Sequence, residues 1–122
     1  MPIPDDLQAF IVGHIDTVAE LEALLLLRSR RDVAWSVAET ARRLYVEPAL
    51  AGATLERLCA SGLLRQNEGR FRYNDEAEGL RRMVDRLADA YARHLVPVTN
   101  LIHGKQRSAR AFADAFRFKK DR

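Results

Sequence analysis

A mainly α fold with a small β-wing is predicted from three observations. A capped helical pattern opens at Ser36, and a second one opens a few residues later at Pro48. After Gly62 the apolar period changes from helical to alternating, and Asn67-Glu68-Gly69 separates two short strand-like runs. From Leu80 to Leu101 apolar residues then return at alternating four- and three-residue steps, a long helical period. At 122 residues these elements fit a single domain with an extension.

Residues 1–31 read as N-terminal scaffold helices. Asp5 is placed to cap a first helix with Gln8 at the box position, and Leu7, Phe10, Ile11, His14 and Ile15 share one face. Gly13 and the run Asp16-Thr17-x-x-Glu20 predict a break and a fresh cap. The next helix carries Val18, Leu21, Leu24, Leu25 and Leu27. Its unbroken leucines, Leu24 to Leu27, exceed a single stripe, so it is expected to be covered on more than one side as the central scaffold.

Residues 32–74 hold the motif. Val33-Ala34-Trp35 is a candidate third strand behind the hairpin, with Trp35 as a packing residue. Ser36 and Glu39 form an S-x-x-E capping box, followed by Val37, Ala38, Ala41 and Leu44 at helical spacing. Pro48 biases Glu47 away from the helical region and suits the first turn of a new helix. Ala51, Leu55, Leu58 and Cys59 mark the inner face of that helix, and Gly62 stands where a left-handed terminator belongs. Arg70, Phe71, Arg72 and Tyr73 alternate as a half-exposed strand does. Helix, turn, helix, hairpin is the order of a winged helix-turn-helix.

These residues resemble bacterial winged helix-turn-helix transcriptional regulators of the MarR-like kind. The matching stretches are SVAETARRL for the first helix and VEPALAGATLERLCASGLL for the recognition helix and its exit. The pattern Pro48, Leu55, Leu58 and Ser61-Gly62-Leu63-Leu64 is the most specific part. The resemblance implies a small dimeric protein whose recognition helix enters the major groove of double-stranded DNA while the wing reaches the backbone.

Residues 75–104 read as a long helix and dimerisation arm. Leu80, Val84, Leu87, Tyr91, Val98 and Leu101 form a seam for a second copy of the chain, and Pro97 is expected to kink or divide the helix. The charged faces, with Asp85, Asp89, Arg82 and Arg86, read as a solvated ion-pair surface. Residues 105–122 form a basic tail in which Ala109, Phe112, Ala113 and Phe116 fall on one helical face.

The charge is uneven. Up to position 60 there are six basic residues against nine acidic ones, whereas from Gly104 onward there are seven against two, for a net +3 overall. A basic balance suits nucleic acid, anionic lipid or an acidic protein. DNA contacts are expected from Arg42 and Arg43, from Thr54 and Arg57 on the recognition helix, and from Arg65, Arg70 and Arg72 on the wing. The rest of the outward recognition face is poor in base readers: Ala49, Leu50, Gly52, Ala53 and Glu56. Two accounts therefore stand. Either small residues let this helix sit close to a duplex read by shape, or Leu50, Gly52, Ala53 and the Phe112/Phe116 tail dock a protein partner or a membrane surface, with no sequence-specific DNA binding.

No phosphate-cradling glycine loop, nucleophile elbow or H-E-x-x-H motif is present, so no catalysis is expected. No cofactor or metal is implied. His94 and His103 do not share a helical face at metal spacing, and Cys59 is a single, inward cysteine. The apolar run Ala23–Leu27 is far short of a membrane span, and the first residues lack signal-peptide character, so a cytoplasmic location is expected.

Overall fold

The computed structural model describes residues 2–105. Phe112, Phe116 and the rest of the basic tail lie outside the described residues. The elements in order are α1 (Asp5–His14), α2 (Val18–Ser29), α3 (Val37–Leu44), α4 (Pro48–Ala60), β1 (Leu64–Asn67), β2 (Arg70–Tyr73) and α5 (Glu78–Arg93). A further helix, α6, occupies 95–105. The chain is mostly helical with one two-stranded antiparallel sheet, a winged-helix-like architecture.

Local chemistry sets most of these boundaries. Thr17 caps α2 by accepting from the Glu20 N–H at 3.0 Å, and the Glu20 carboxylate reaches back to the Asp16 N–H at 3.3 Å. Ser36 caps α3 by accepting from the Glu39 N–H at 3.1 Å. Asp5, by contrast, is not a cap. Pro4 takes that position without a side-chain bond, and Gln8 donates to the Ile3 carbonyl instead.

Gly62 ends α4 with φ 81°, while Leu63 N–H bonds to Leu58 O at 3.0 Å and Gly62 N–H to Cys59 O at 2.9 Å. That is the six-to-one and five-to-two pairing of a Schellman motif. At the end of α3 the six-to-one bond recurs, with Val46 N–H on Ala41 O at 3.1 Å, while the Tyr45 N–H bonds to the same carbonyl. There the left-handed residue is Tyr45, at φ 58°.

α2 is the scaffold. Leu21, Ala23, Leu24 and Leu27 are wholly buried, under α4, β2 and α3. Each such leucine contributes about 1.5–3 kcal/mol through removal of apolar area from water. The ribbon adds Leu64, Phe71 and Tyr73 to this core from its inner face. Trp35 pairs with Phe71 through a single bridge, Trp35 N–H to Phe71 O at 2.7 Å and Phe71 N–H to Trp35 O at 2.8 Å. The expected third strand is thus one residue of pairing, and Trp35 is a buried packing residue as anticipated.

The long helix is divided, as Pro97 leads one to expect: the break falls at His94, within the turn that a proline at 97 disrupts. Pro97 then sits in the first turn of α6, where its missing N–H leaves no intrahelical bond unmade. The expected dimer seam is corrected, because it is not a free face. Val84, Leu87 and Val98 are 0 % exposed inside the chain's own core, and Leu80, Tyr91 and Leu101 pack against it half-buried. α5 closes on α1 and α2 through ion pairs: Arg86 grips Asp6 with two bonds at 2.7 and 2.9 Å, and Arg28 meets Asp85 at 2.9 Å. The Tyr91 hydroxyl donates to Glu22 at 2.8 Å, and burial first, then that carboxylate, push the phenol up to about 12.

Candidate nucleic-acid interface

The ribbon owes its geometry to a two-residue turn. Glu68 and Gly69 both take positive φ, 52° and 76°, as a turn matched to strand twist requires. The register pairs Leu64 with Tyr73, Arg65 with Arg72, Gln66 with Phe71 and Asn67 with Arg70. Because side chains alternate between faces, Phe71 and Tyr73 go inward. Arg65, Arg72, Asn67 and Arg70 share the outer face.

Arg65 opposite Arg72 is a like-charge cross-strand pair, which works against the fold. Part of the charge is answered locally. Arg65 reaches Glu76 at 2.7 Å, and Arg70 reaches Glu39 at 3.0 Å and the Ala34 carbonyl at 3.2 Å. These pairs remain more than a third exposed, so each contributes little to stability. The Glu39 carboxyl is held below its usual range, first by the Ser36 hydroxyl and then by Arg70. Arg72 has no carboxylate partner among the described residues. Arg65, Arg70 and Arg72 line one open hollow with Gln66, Asn67 and Glu68.

A second hollow lies beside the first, where α3 meets the bridge. Arg42, Arg43 and Arg30 line it with Trp35 and Glu39, and the Arg43 guanidinium stands 5.5 Å from the Trp35 ring centroid. Arg30, Gln66 and Asn67 were not among the sequence-derived site residues. The two polar donors at the end of β1 are legible as such, since they precede the turn; Arg30 is brought in only by the tertiary fold.

The outer face of α4 differs. Ala49, Leu50, Ala53, Glu56 and Arg57 are exposed, as expected. Thr54 is not: it is 4 % exposed and packed inward, which removes it as a base reader. Gly52 is half-buried, and a Cβ there would stand 3.7 Å from Val37 of α3, so its close approach is to this chain's own helix. Arg57 bonds to Asp16 and stands 3.7 Å from Glu20. Burial of Glu20 raises its carboxyl above the usual range. Glu47 caps α4 only through its backbone, with no side-chain bond.

Among the described residues no group of three or more His, Cys, Asp or Glu side chains is placed to hold a metal ion, and no helix is long and apolar enough to cross a membrane. Burial raises the Cys59 thiol above its ordinary value, which disfavours the reactive thiolate. His14 stacks on Phe10 at 4.5 Å and bonds through Nδ1 to the Phe10 carbonyl, a packing role.

The fold and these two faces define a winged-helix-like protein. Its architecture is similar to that in the crystal structure of RV1404 from Mycobacterium tuberculosis, with a TM-score of 0.50 at 20% identity, covering 90% of this chain and 82% of that one. At that identity the likeness speaks for fold alone. No family model and no curated protein matches the chain.

Proposed function

We propose that this chain is a small MarR-like transcriptional regulator that holds double-stranded DNA mainly by its phosphates. The observation that carries the reading is the outer face of the ribbon, where Arg65, Arg70 and Arg72 converge although Arg65 and Arg72 oppose each other across the strands. An arrangement that weakens the ribbon is accounted for by an anion held between the strands. Arg42 and Arg43 extend the same cationic surface along α3. With Thr54 buried and Arg57 turned onto Asp16, α4 has few donors for base edges, so sequence preference rests on duplex shape.

Homodimerisation belongs to the same proposal, but with a different surface from the buried seam. Val12, Leu95 and Val96 are exposed, and α6 runs back beside α1, with Lys105 bonded to the Val12 carbonyl. These exposed side chains on α1 and α6 offer apolar area to a second copy, which would present two wings and gain avidity.

The test is binding of random-sequence duplex to the full chain across a salt series. Affinity should fall steeply with salt, and Arg70→Ala with Arg72→Ala should lower the log–log slope by about two. Absent or salt-insensitive binding would transfer the reading to a protein adaptor, for which the exposed Tyr45 and Leu50 are the favouring observation.

A further inference from the structure

One face of the motif is left uncovered by the described residues. On α4 the outward stripe runs from Arg57 through Ala53 to Leu50 and Ala49, and the exposed Tyr45 lies on the turn that precedes the helix. Tyr45 is 94% exposed and Leu50 48% exposed, a large apolar load for solvent. The charges on α4 and its cap are acidic apart from Arg57, which is paired: Glu47 and Glu56 have no cationic partner among the described residues, while Arg43 stands on the far side of Tyr45. A phosphate backbone is repelled by such a rim; a basic apolar segment is attracted to it.

We propose that residues 106–122 of the same molecule dock on this face of α4. The chain leaves the described region at the correct corner. The Lys105 ammonium meets the Asp16 carboxylate, and that same carboxylate accepts from Arg57, in the last turn of α4. The segment therefore begins where the stripe begins. From Arg57 to Ala49 the stripe measures roughly 12 Å, and residues 106–122 reach roughly 25 Å as a helix and farther if extended. The sequence supplies matching chemistry. Ala109, Phe112, Ala113 and Phe116 repeat at helical spacing, and Arg110, Arg117, Lys119 and Lys120 stand among them or just beyond. Small side chains at Ala49 and Ala53 leave room for phenylalanine rings, and Glu47 and Glu56 are placed to answer the bases. Docked this way, the segment covers the face of α4 that a duplex would otherwise meet, and leaves the arginines of the wing open.

The experiment uses the full chain with Cys59→Ala and a spin label on Lys119→Cys. Relaxation enhancement should broaden the amides of Tyr45, Ala49, Leu50 and Ala53 selectively, and Phe112→Ser with Phe116→Ser should abolish it. A mixed sample, with the label on one isotopically silent copy and the amides observed on another, should show no broadening; broadening there means the segment crosses between copies and overturns the proposal. Broadening centred elsewhere, or none, overturns it as well. Independently, Leu50→Glu with Ala53→Glu should speed tryptic cleavage at Arg110 and Arg117 by about tenfold, because cleavage follows the undocked population. An unchanged cleavage rate counts against docking. Neither readout depends on DNA binding, so this inference and the proposed function stand or fall separately.

Discussion

The outer face of the ribbon and the outer face of α4 lie in one motif and carry opposite chemistry. The ribbon shows Arg65, Arg70 and Arg72 around an open hollow; α4 shows Ala49, Leu50 and Ala53 between Glu47 and Glu56. Both are built on the same buried support, since α4 packs on α2 through Leu55 and Leu58 while β2 packs on α2 through Phe71 and Tyr73. The inner faces are therefore interchangeable in kind, and only the outward residues differ. What the contrast teaches is that the helix-turn-helix geometry holds with an outer α4 face poor in hydrogen-bond donors, because the inward positions alone fix the packing.

The largest expected effect comes from breaking the shared support. Phe71 is wholly inside, bonded at both backbone groups to Trp35. Phe71→Ala should cost about 3–5 kcal/mol, read as a lower urea midpoint at unchanged slope. Both faces should be lost together. A variant that unfolds the ribbon while α4 keeps native hydrogen-exchange protection would show that the two faces do not share one cooperative unit.

Next in size is the turn that leads from α3 into α4. Tyr45 and Gly62 fill equivalent left-handed positions at the ends of α3 and α4. Glycine does so without a Cβ penalty; a non-glycine residue pays about 1 kcal/mol. Since Tyr45 is almost fully exposed, described packing returns little of that. Tyr45→Gly should raise stability by no more than about 0.5 kcal/mol in urea unfolding, after the larger unfolded-state entropy of glycine is subtracted. A loss of more than about 1 kcal/mol would mean that Tyr45 is held by contacts to something, the segment 106–122 being the first place to look.

Much of the fold was legible in the sequence, because caps and terminators are local. Thr17, Ser36 and Gly62 declare helix ends through groups within a few residues, and Glu68-Gly69 declares the hairpin the same way. The apolar stripe of α5 was legible as a stripe, but not by what covers it. Four-three spacing suits a seam between two chains or a seam within one, and Val84 and Leu87 turn out to serve the second. The arginines of the wing followed from alternation, and the outward face of α4 from helical period. Thr54 lay at the edge of that face, where a rotation of a few tens of degrees decides burial, and the packing of α4 on the rest of the motif decides it inward. Nor does local sequence name the partner of Arg57, an acid forty-one positions away.

A smaller effect separates stability from binding on the ribbon itself. Replacing Arg72 removes the like-charge opposition to Arg65 and places a good strand former there if threonine is used. Arg72→Thr should stabilise the fold by a few tenths of a kcal/mol. On the proposed function it should also weaken duplex binding and lower the salt slope by about one. Opposite signs on the two measurements mark a residue kept for its ligand. A fall in stability with unchanged binding would make Arg72 an ordinary surface residue.

The smallest effect tests the frame that holds both faces, the closure of α5 on α1. The two bonds from Arg86 hold the Asp6 carboxyl down to about 2 from its usual 3.8. A carboxyl whose folded value is depressed adds stability that is present above its unfolded value and fades as pH falls through the folded one. The contribution should therefore be intact above pH 4 and disappear between about pH 4 and pH 2. Asp6→Asn should flatten that part of the stability profile by lowering stability slightly at neutral pH and leaving it unchanged below about pH 2, a small effect because the pair is solvent-exposed and salt-screened. Because Asp6 and Arg86 touch neither the ribbon nor α4, duplex binding at neutral pH should be the same in this variant. A change in binding there would show that the packing of α1 on α5 reaches the wing, and that the two faces respond to the arm as well as to their common core.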